Sequence, residues 1–272
     1  MRKPIGIGIF DSGFGGLTVT KQILNILPNE DVVYFGDTAH LPYGTKSKKV
    51  ITDFSRNIIK FLKRQNVKII VIACNTASAY SLNVLKKEFD IPIVGVIEPG
   101  ARRAVLITKN NRIGVIGTEA TVSSKTYERA INRIDRRAKV FSQACPLLVP
   151  LIEEGWMNRP VTRQVAELYL GSLIKEQIDS LILGCTHYPL IKTLLGDIMG
   201  DAVTLIDSSI EVARSVKDVL QAGGLFNSSE EMKKGKRKVE FFVSDNPGKF
   251  SKLGKMFLSN EIKNVKYVDI DK

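Results

Sequence analysis

The sequence is poor in the residues that build most metal and redox sites. Its 272 residues include only three cysteines and two histidines, His40 and His187. No C-x-x-C pair occurs, so a zinc knuckle or a dithiol redox centre has little support. Three cysteines cannot all pair within one chain, and a chain of this length can bury a full core without disulfides. The chain therefore has few side chains that could ligate a metal, and we expect its thiols to be free.

The sequence also lacks a long apolar run. No stretch approaches the roughly 20 apolar residues that span a bilayer. The apolar segment at residues 5–10 is too short for a signal peptide and has no small-residue cleavage site, so it predicts a first strand. With 44% hydrophobic and 25% charged residues, the composition is that of a globular protein. We expect a cytoplasmic protein with no membrane partner.

Acidic residues are outnumbered, and the formal net charge is +12. Such an excess raises nucleic acid as a partner. The basic residues are scattered, however, and the local runs at residues 133–137 and 233–238 are typical of solvated surface. We predict that nucleic acid is not a partner, although a positive field would draw a small dianionic substrate toward a cleft.

Short β-rich segments alternate with longer helical patterns along most of the chain. Strands are predicted at residues 5–10, 32–35, 69–73, 93–96, 113–116, 139–141, 181–183, 203–206 and 239–243. Helices are predicted at residues 17–27, 50–65, 79–89, 161–174, 191–199 and 211–222. The fourth of these has the period of an amphipathic helix whose apolar face is formed by Val161, Val165, Leu168 and Leu173. The alternation predicts an α/β fold with mostly parallel sheets.

Nine strands with two separate strand–cysteine–helix units indicate two sheets rather than one. We place the crossing between them at residues 98–100 and the return at residues 206–208. One domain would comprise residues 1–97 and 208–272 and carry Asp11 and Cys74. The other would comprise residues 98–207 and carry Cys185 and His187. Because ligands of open parallel sheets bind beyond the carboxyl ends of the strands, we expect the active site in the cleft between the domains.

Cys74 and Cys185 share one setting. Each ends an apolar run and is followed by small polar residues and a predicted helix. Backbone N–H groups at a helix start favour a thiolate, so we expect the pKa of a thiol there to be lowered. Two thiols in matched positions suggest a paired acid and base across one cleft. Cys145 lacks such a setting and is interpreted as a buried core residue.

The loop after the first strand contains Asp11, Ser12 and three glycines. Glycines that open a helix bring backbone N–H donors to an anion. Neither a G-x-G-x-x-G nor a phosphate-loop spacing is present, which favours a carboxylate over a nucleotide. A purely structural turn is the alternative. Against it, a carboxylate at the tip of a buried strand is costly unless it is used or paired.

The segment at residues 36–45 has the composition of a turn. There Pro42 and Gly44 set the backbone, and Tyr43 can offer a ring and an N–H group to a ligand. An ordinary surface loop is the alternative. No sequence neighbour of His40 suggests a partner for it.

Further polar residues lie near the two thiols or after another strand. Side chains that can donate to a substrate carboxylate are Asn75, Thr76 and Thr186, while His187 can hold or trade a proton beside Cys185. Helix capping explains Thr118 and Thr121 equally well. Glu153 could orient His187, with a solvated helix position as the alternative.

Taken in order, these segments resemble the glutamate racemases of the cofactor-independent aspartate/glutamate racemase superfamily. The matching segments are FDSG and GGLT at residues 10–18, PYG at 42–44, ACNTAS at 73–78, VPLIEEG at 149–155 and LGCTHYP at 183–189. A single match would be weak, but the ordered set is highly specific. Residues after 220 carry no matching motif.

The resemblance implies two pseudo-symmetric, doubly wound α/β domains. It also implies interconversion of L- and D-glutamate without pyridoxal phosphate, metal or another cofactor. D-glutamate would supply peptidoglycan synthesis for the cell wall in a bacterial cytoplasm, and the protein would be a homodimer.

The resemblance assigns roles to individual residues. Cys74 would take the proton from D-glutamate with Asp11 beside it. Cys185 would take it from L-glutamate with His187 beside it, and Glu153 would support His187. The substrate's charged groups would be held by Asp11, Ser12, Tyr43, Gly44, Asn75, Thr76, Thr186 and His187, with Thr118 and Thr121 as further contributors. A racemase of aspartate or a related carboxylate, and a non-catalytic amino-acid-binding protein, are the alternatives.

Overall fold

The structure, a computed structural model, describes residues 6–227, 237–259 and 261–270. The predicted solvated run at residues 233–238 therefore lies mostly outside the described residues, as does the first residue of the predicted first strand. All nine predicted strands are confirmed to within a few residues, and one short strand was not predicted.

The first sheet has six parallel strands in the spatial order β10-β9-β2-β1-β3-β4. They are β1 Gly6–Asp11, β2 Asp31–Gly36, β3 Val67–Ile72, β4 Ile93–Gly95, β9 Val239–Val243 and β10 Lys266–Tyr267. The central strands β1 and β3 are buried along their whole length. Such continuous apolar runs are expected where helices cover both faces of a parallel sheet.

The second sheet has four parallel strands in the order β6-β5-β7-β8. They are β5 Arg112–Gly117, β6 Lys139–Ala144, β7 Ser180–Gly184 and β8 Thr204–Asp207. This order repeats that of β2-β1-β3-β4 in the first sheet. The two halves are thus pseudo-symmetric, and the predicted α/β fold with parallel sheets is confirmed.

Eleven helices connect the strands within the described residues. They are α1 Leu17–Ile26, α2 Lys48–Arg64, α3 Asn75–Glu88, α4 Ile97–Ile107, α5 Glu119–Ser123, α6 Thr126–Ile134, α7 Leu148–Glu153, α8 Pro160–Lys175, α9 Lys192–Met199, α10 Ser208–Ala222 and α11 Pro247–Leu258. None of the described helices is both long and apolar enough to cross a membrane.

The chain passes from the first sheet to the second through α4 and returns through α10. The predicted crossing at residues 98–100 lies inside α4, where Pro99 is tolerated because N–H groups of the first helical turn have no intrahelical acceptor. At Gly100 a Cβ would lie 3.2 Å from Ser208 Oγ, so this glycine lets α4 approach α10. The domain boundaries at 97/98 and 207/208 stay a prediction.

The predicted apolar face of α8 is only partly correct, since Leu173 is buried and Val165 packs against the core, whereas Val161 and Leu168 do not. The structure buries Thr162, Ala166, Leu170 and Leu173 against the second sheet. Leu168 is instead 82% exposed, and Val161 is 38% exposed. The periodicity was interpreted correctly as helical, but Ala166 and Thr162 are small enough to pack closely on the sheet and therefore occupy the buried face.

Three apolar clusters form the core. One lies between the two halves and joins both sheets, including Ile9 and Val71 from the first and Val115 from the second. Each of the other two covers the remaining face of one sheet. Because α4 and α10 pack into the shared cluster, the carboxyl ends of both sets of strands are held against each other.

Candidate active site

The predicted site residues lie where strands of the two sheets end. Asp11 is the last residue of β1, and Cys74 follows β3 by two positions. Cys185 follows β7 directly, and β7 occupies in the second sheet the place that β3 occupies in the first. The three cysteines are free and buried, with Cys74 6% and Cys185 7% exposed.

Cys74 caps the N-terminus of α3. Its Sγ accepts a hydrogen bond from the backbone N–H of Ala77 at 3.5 Å and lies 3.7 Å from Ser12 Oγ. The helix begins at Asn75, four residues before the predicted start, because the cysteine serves as the capping residue. The cap aims the sulfur at the space between the two halves.

The expected lowering of the Cys74 pKa is wrong. Burial raises the pKa of this thiol to about 12, and the nearby Asp11 carboxylate raises it further. The Ala77 N–H and the Ser12 hydroxyl act in the opposite direction, as the sequence predicted, but they do not offset the loss of water. Cys185 is close enough to contribute to the same increase.

Asp11 is fully buried beside Cys74. Its Oδ2 accepts a hydrogen bond from Gly13 N at 3.0 Å, while Oδ1 has no partner of good geometry among the described residues. Burial raises the pKa of this carboxyl, and His187, from the other half, lowers it electrostatically. Asp11 is thus an acceptor that a cationic group bound in the cleft could reach.

Cys185, His187 and Glu153 form a chain of contacts in the second half. Cys185 Sγ lies 3.8 Å from His187 Nδ1, and His187 Nε2 lies 3.0 Å from Glu153 Oε1. Burial lowers the pKa of His187, but the hydrogen bonds to Cys185 and Glu153 outweigh it and raise the pKa to about 10. The direction of this shift favours the imidazolium, in which both ring nitrogens can donate.

The two halves touch at Gly15. A Cβ at this position would lie 2.1 Å from Thr186 Oγ1 and 2.6 Å from His187 Nδ1. Nearby, Thr18 Oγ1 donates to the carbonyl oxygen of Thr186 at 3.1 Å. The glycine loop of the first half is thus packed against the residues that follow Cys185.

A cluster of hydroxyl groups also joins the halves. Thr76 Oγ1 lies 2.9 Å from Thr118 Oγ1 and 3.2 Å from Thr121 Oγ1, and the latter two are 3.0 Å apart. Thr76 is in the first turn of α3, whereas Thr118 caps α5. Since both helix starts meet here, the cluster is suited to a negatively charged group.

The residues Tyr43 and Gly44 lie in a short 3₁₀ turn, Tyr43–Thr45, on the same side of the first half. A Cβ at Gly44 would be 3.1 Å from Thr118 Cβ, which places this turn against α5 of the second half. The expectation that His40 has no sequence neighbour as a partner is wrong, because its Nδ1 lies 2.8 Å from Asp37 Oδ1.

Several residues around the site were not singled out from the sequence. Tyr127 donates its hydroxyl to Asn75 Oδ1 at 2.7 Å, which links α6 to α3. The ring of Phe257 in α11 packs edge-on against His187 at 5.4 Å between centroids. Asp37 and Ser244 each follow a strand of the first sheet directly, and the strand-end rule applied to Asp11 would have found both.

Cys145 follows β6 directly, and Cys185 is near enough to contribute to its raised pKa. Burial raises the pKa of Cys145 to about 12, and the side chain packs in the apolar cluster of the second half. Among the described residues, no three His, Cys, Asp or Glu side chains group as metal ligands would.

Comparisons with known proteins agree with this fold. The family model for Asp/Glu/Hydantoin racemase matches residues 7–216. A glutamate racemase from Geobacter metallireducens is 48% identical over 265 residues, covering 97% of this chain and 97% of the relative.

Two solved structures are also similar to this chain. Glutamate racemase isoform RacE1 from Bacillus anthracis has a TM-score of 0.93 at 39% identity, covering 98% of each chain. Glutamate racemase from Francisella tularensis, in complex with D-glutamate, has a TM-score of 0.91 at 39% identity, covering 99% of each chain.

The fold and these relatives together define an α/β isomerase built from two similar halves. The chain belongs to the Asp/Glu/Hydantoin racemase family. The family membership inferred from the ordered motifs is thereby confirmed.

Proposed function

We propose that this enzyme interconverts L- and D-glutamate by moving the Cα proton between Cys74 and Cys185. The observation that carries the proposal is the equivalent placement of the two thiols. Each follows the third strand of the repeated order, and Cys185 contributes to the raised pKa of Cys74. Inversion at Cα needs a base on one face and an acid on the other, which such a pair supplies.

In the direction from L- to D-glutamate, Cys185 removes the proton and Cys74 donates one to the opposite face. Burial favours the thiol form of Cys74, which is the form that must donate. In the reverse direction Cys74 is the base. The substrate ammonium, held near Asp11, would then stabilise the Cys74 thiolate because an opposite charge within a few ångströms favours the ionised form.

His187 and Glu153 act on the Cys185 side. The imidazolium directs Nδ1–H at the sulfur, so it stabilises the sulfur when negative charge develops there. Glu153 accepts from Nε2 and keeps the ring oriented. Asp11 serves the Cys74 side, where it lies within electrostatic reach of the thiol.

The substrate's charged groups are held by residues from both halves: Asp11, Ser12, Tyr43, Gly44, Asn75, Thr76, Thr186 and His187, with Thr118 and Thr121 beside them. Helix starts at α3 and α5 would receive carboxylates. Hydrogen bonds that strengthen as charge moves onto the α-carboxylate lower the barrier to proton removal. No step requires a cofactor, since the residues named here supply acid, base and charge stabilisation.

Glutamate is favoured over aspartate by the relatives. The Francisella tularensis structure holds D-glutamate, and glutamate racemases from several other bacteria cover nearly the whole chain at 42–48% identity. The solved aspartate racemase from Picrophilus torridus is 21% identical and supports only the fold. A non-catalytic amino-acid-binding protein would have no use for two thiols in equivalent positions.

The cellular role follows from the product. We propose that the enzyme supplies D-glutamate for peptidoglycan synthesis in a bacterial cytoplasm.

We also propose a homodimer, supported by the exposed apolar side chains Leu168 and Val161 on α8. Light scattering after size exclusion checks the mass, and Leu168→Glu tests whether this helix contributes.

The test of the reaction is incubation with L-glutamate in D2O without an added cofactor. Loss of optical rotation together with deuterium at Cα, observed by proton NMR, is the expected result. L-aspartate in a parallel reaction should remain unlabelled. Deuterium entering aspartate alone would assign the enzyme to the other substrate, and no labelling of either would remove the catalytic proposal.

A further inference from the structure

Asp37 is a fully buried carboxylate that the proposed chemistry does not use. It follows β2 directly and is 0% exposed. Its backbone N–H donates to the carbonyl oxygen of Asp11 at 3.0 Å. Asp37 therefore lies in the same row of strand ends as Asp11 and Cys74, one strand further from the thiol.

Three side chains surround the Asp37 carboxylate. Tyr43 donates its hydroxyl to Oδ2 at 2.5 Å. Ser244 donates its hydroxyl to Oδ1 at 2.7 Å, and His40 Nδ1 lies 2.8 Å from the same oxygen. Hydrogen bonds to an ionised acceptor are stronger than neutral ones, so these contacts fix the three donors around one point.

The contact with Tyr43 connects Asp37 to the substrate site. Burial, followed by Asp37 itself, raises the pKa of Tyr43 well above its ordinary value, so the phenol stays protonated and donates. Since the hydroxyl is committed to Asp37, Tyr43 is left to offer its backbone N–H and ring to a ligand. The same turn places Gly44 against Thr118 of the second half.

The contact with Ser244 connects Asp37 to the C-terminal part of the chain. Ser244 follows β9 and also accepts a hydrogen bond from Ala39 N at 2.9 Å. Its own N–H donates to the carbonyl oxygen of Gly36 at 3.1 Å. Hydrogen bonds thus hold the segment between β2 and the Tyr43 turn in place. They join it to the Asp37 carboxylate and to Ser244, the residue after β9.

We propose that Asp37 is a positioning residue for substrate binding, which holds the Tyr43–Gly44 backbone in place through the Tyr43 hydroxyl and is itself held by Ser244. This inference rests on the proposed function, because the ligand held by that backbone is the carboxylate of the amino-acid substrate. The role predicts weaker binding of both enantiomers, since both present a carboxylate to the same turn.

A structural role is the competing explanation, and the same sheet contains a suitable control. Glu30, at the amino ends of the strands, is 2% exposed and forms an ion pair with Lys68 at 2.5 Å. That carboxylate has a cationic partner and lies at the opposite end of the sheet from the thiols. Glu30→Gln should lower the melting temperature without changing KM.

The test is a set of steady-state measurements of kcat and KM with L- and D-glutamate. We expect Tyr43→Phe, which removes only the hydroxyl, to raise KM about tenfold, in line with the loss of one hydrogen bond to a charged group. Asp37→Ala should raise KM further. Asp37→Asn should have the smaller effect, because its amide can accept from Ser244 and His40 while donating to the Tyr43 hydroxyl.

A double-mutant cycle distinguishes this positioning role from a general loss of stability. Asp37→Ala and Tyr43→Phe break the same contact, so we expect the KM of the double variant to be lower than the product of the single effects predicts. Ser244→Ala should also raise KM. If Asp37→Ala does not fold, the KM values of Ser244→Ala and Tyr43→Phe test the inference in its place. Unchanged KM in these two variants, or changes that match Glu30→Gln at equal loss of stability, overturns the inference. Absence of racemisation by the wild-type protein would instead overturn the proposed function.

Discussion

The strand ends that carry Cys74 and Cys185 occupy equivalent places in two sheets of the same strand order, yet their surroundings differ. Around Cys74 lie a buried carboxylate, a hydroxyl group and a helix N–H, and burial dominates, so the thiol keeps its proton. Around Cys185 lies an imidazolium that is itself paired with Glu153. A symmetric backbone therefore carries an asymmetric distribution of charge.

This difference shows that the repeated fold determines where the two thiols lie, whereas individual side chains determine the charges around each thiol. Asp11 lies beside Cys74 and raises the pKa of its thiol, whereas His187 Nδ1 lies 3.8 Å from Cys185 Sγ. The reaction needs one acid and one base at a time. Because their surroundings differ, the two thiols are already suited to different roles, acid and base, before the substrate binds.

The strongest way to break the comparison is to remove one thiol. We expect Cys74→Ala and Cys185→Ala each to lower kcat by about a thousandfold or more, since each removes an acid–base group. Racemisation followed by polarimetry measures the loss. Cys145→Ala is the matched control, because Cys145 is also a buried free thiol but has no part in the proposed proton transfer, and it should keep near wild-type turnover. Wild-type rates in either of the first two variants would falsify the two-thiol assignment.

The contact between the halves can be disturbed through Gly15. In Gly15→Ala the new Cβ would overlap Thr186 Oγ1 and His187 Nδ1, and displacement of these groups should lower kcat about a hundredfold. Gly196→Ala is the control, because a Cβ there meets nothing closer than 3.7 Å. Equal activity of the two variants would show that the halves can separate at Gly15 without harm to catalysis.

The smallest effect expected concerns the imidazolium on the Cys185 side. Glu153 helps to raise the pKa of His187 to about 10, so the imidazolium is present at neutral pH and is lost as the pH rises through that value. Glu153→Gln should lower kcat about tenfold and move the alkaline limb of the kcat profile to lower pH. The exposed neighbour provides the control, since Glu154→Gln should leave the profile unchanged. A limb that does not move in Glu153→Gln would assign it to another group.

Much of this architecture could be predicted from local patterns. Nine strands were located because buried parallel strands are continuous apolar runs, as in β3. The two-residue β10 is too short and too exposed to leave such a signal. α4 was missed because Pro99 and Gly100 resemble a turn, although both are compatible with the first turn of a helix.

The site was only partly predictable. The rule that ligands meet strand ends located Asp11, Cys74 and Cys185, but the sequence could not show that burial would outweigh the helix N–H at Cys74. The contact of Glu153 with His187 joins residues 34 positions apart and was predicted chiefly through the family resemblance, because no local pattern reports it. Asp37 and Ser244 satisfy the same strand-end rule and were overlooked because neither belongs to a cysteine or glycine motif.

The bond between Ser244 and Asp37 has a consequence for protein synthesis. A ribosome makes the chain from the N-terminus, so both thiols emerge long before Ser244 does. Asp37, which anchors the Tyr43 turn, acquires its contact with Ser244 only when β9 has paired with β2, across more than 200 residues of sequence. A nascent chain that ends shortly after residue 222 would contain both thiols, His187 and Glu153 but would lack the Ser244 hydroxyl that holds Asp37.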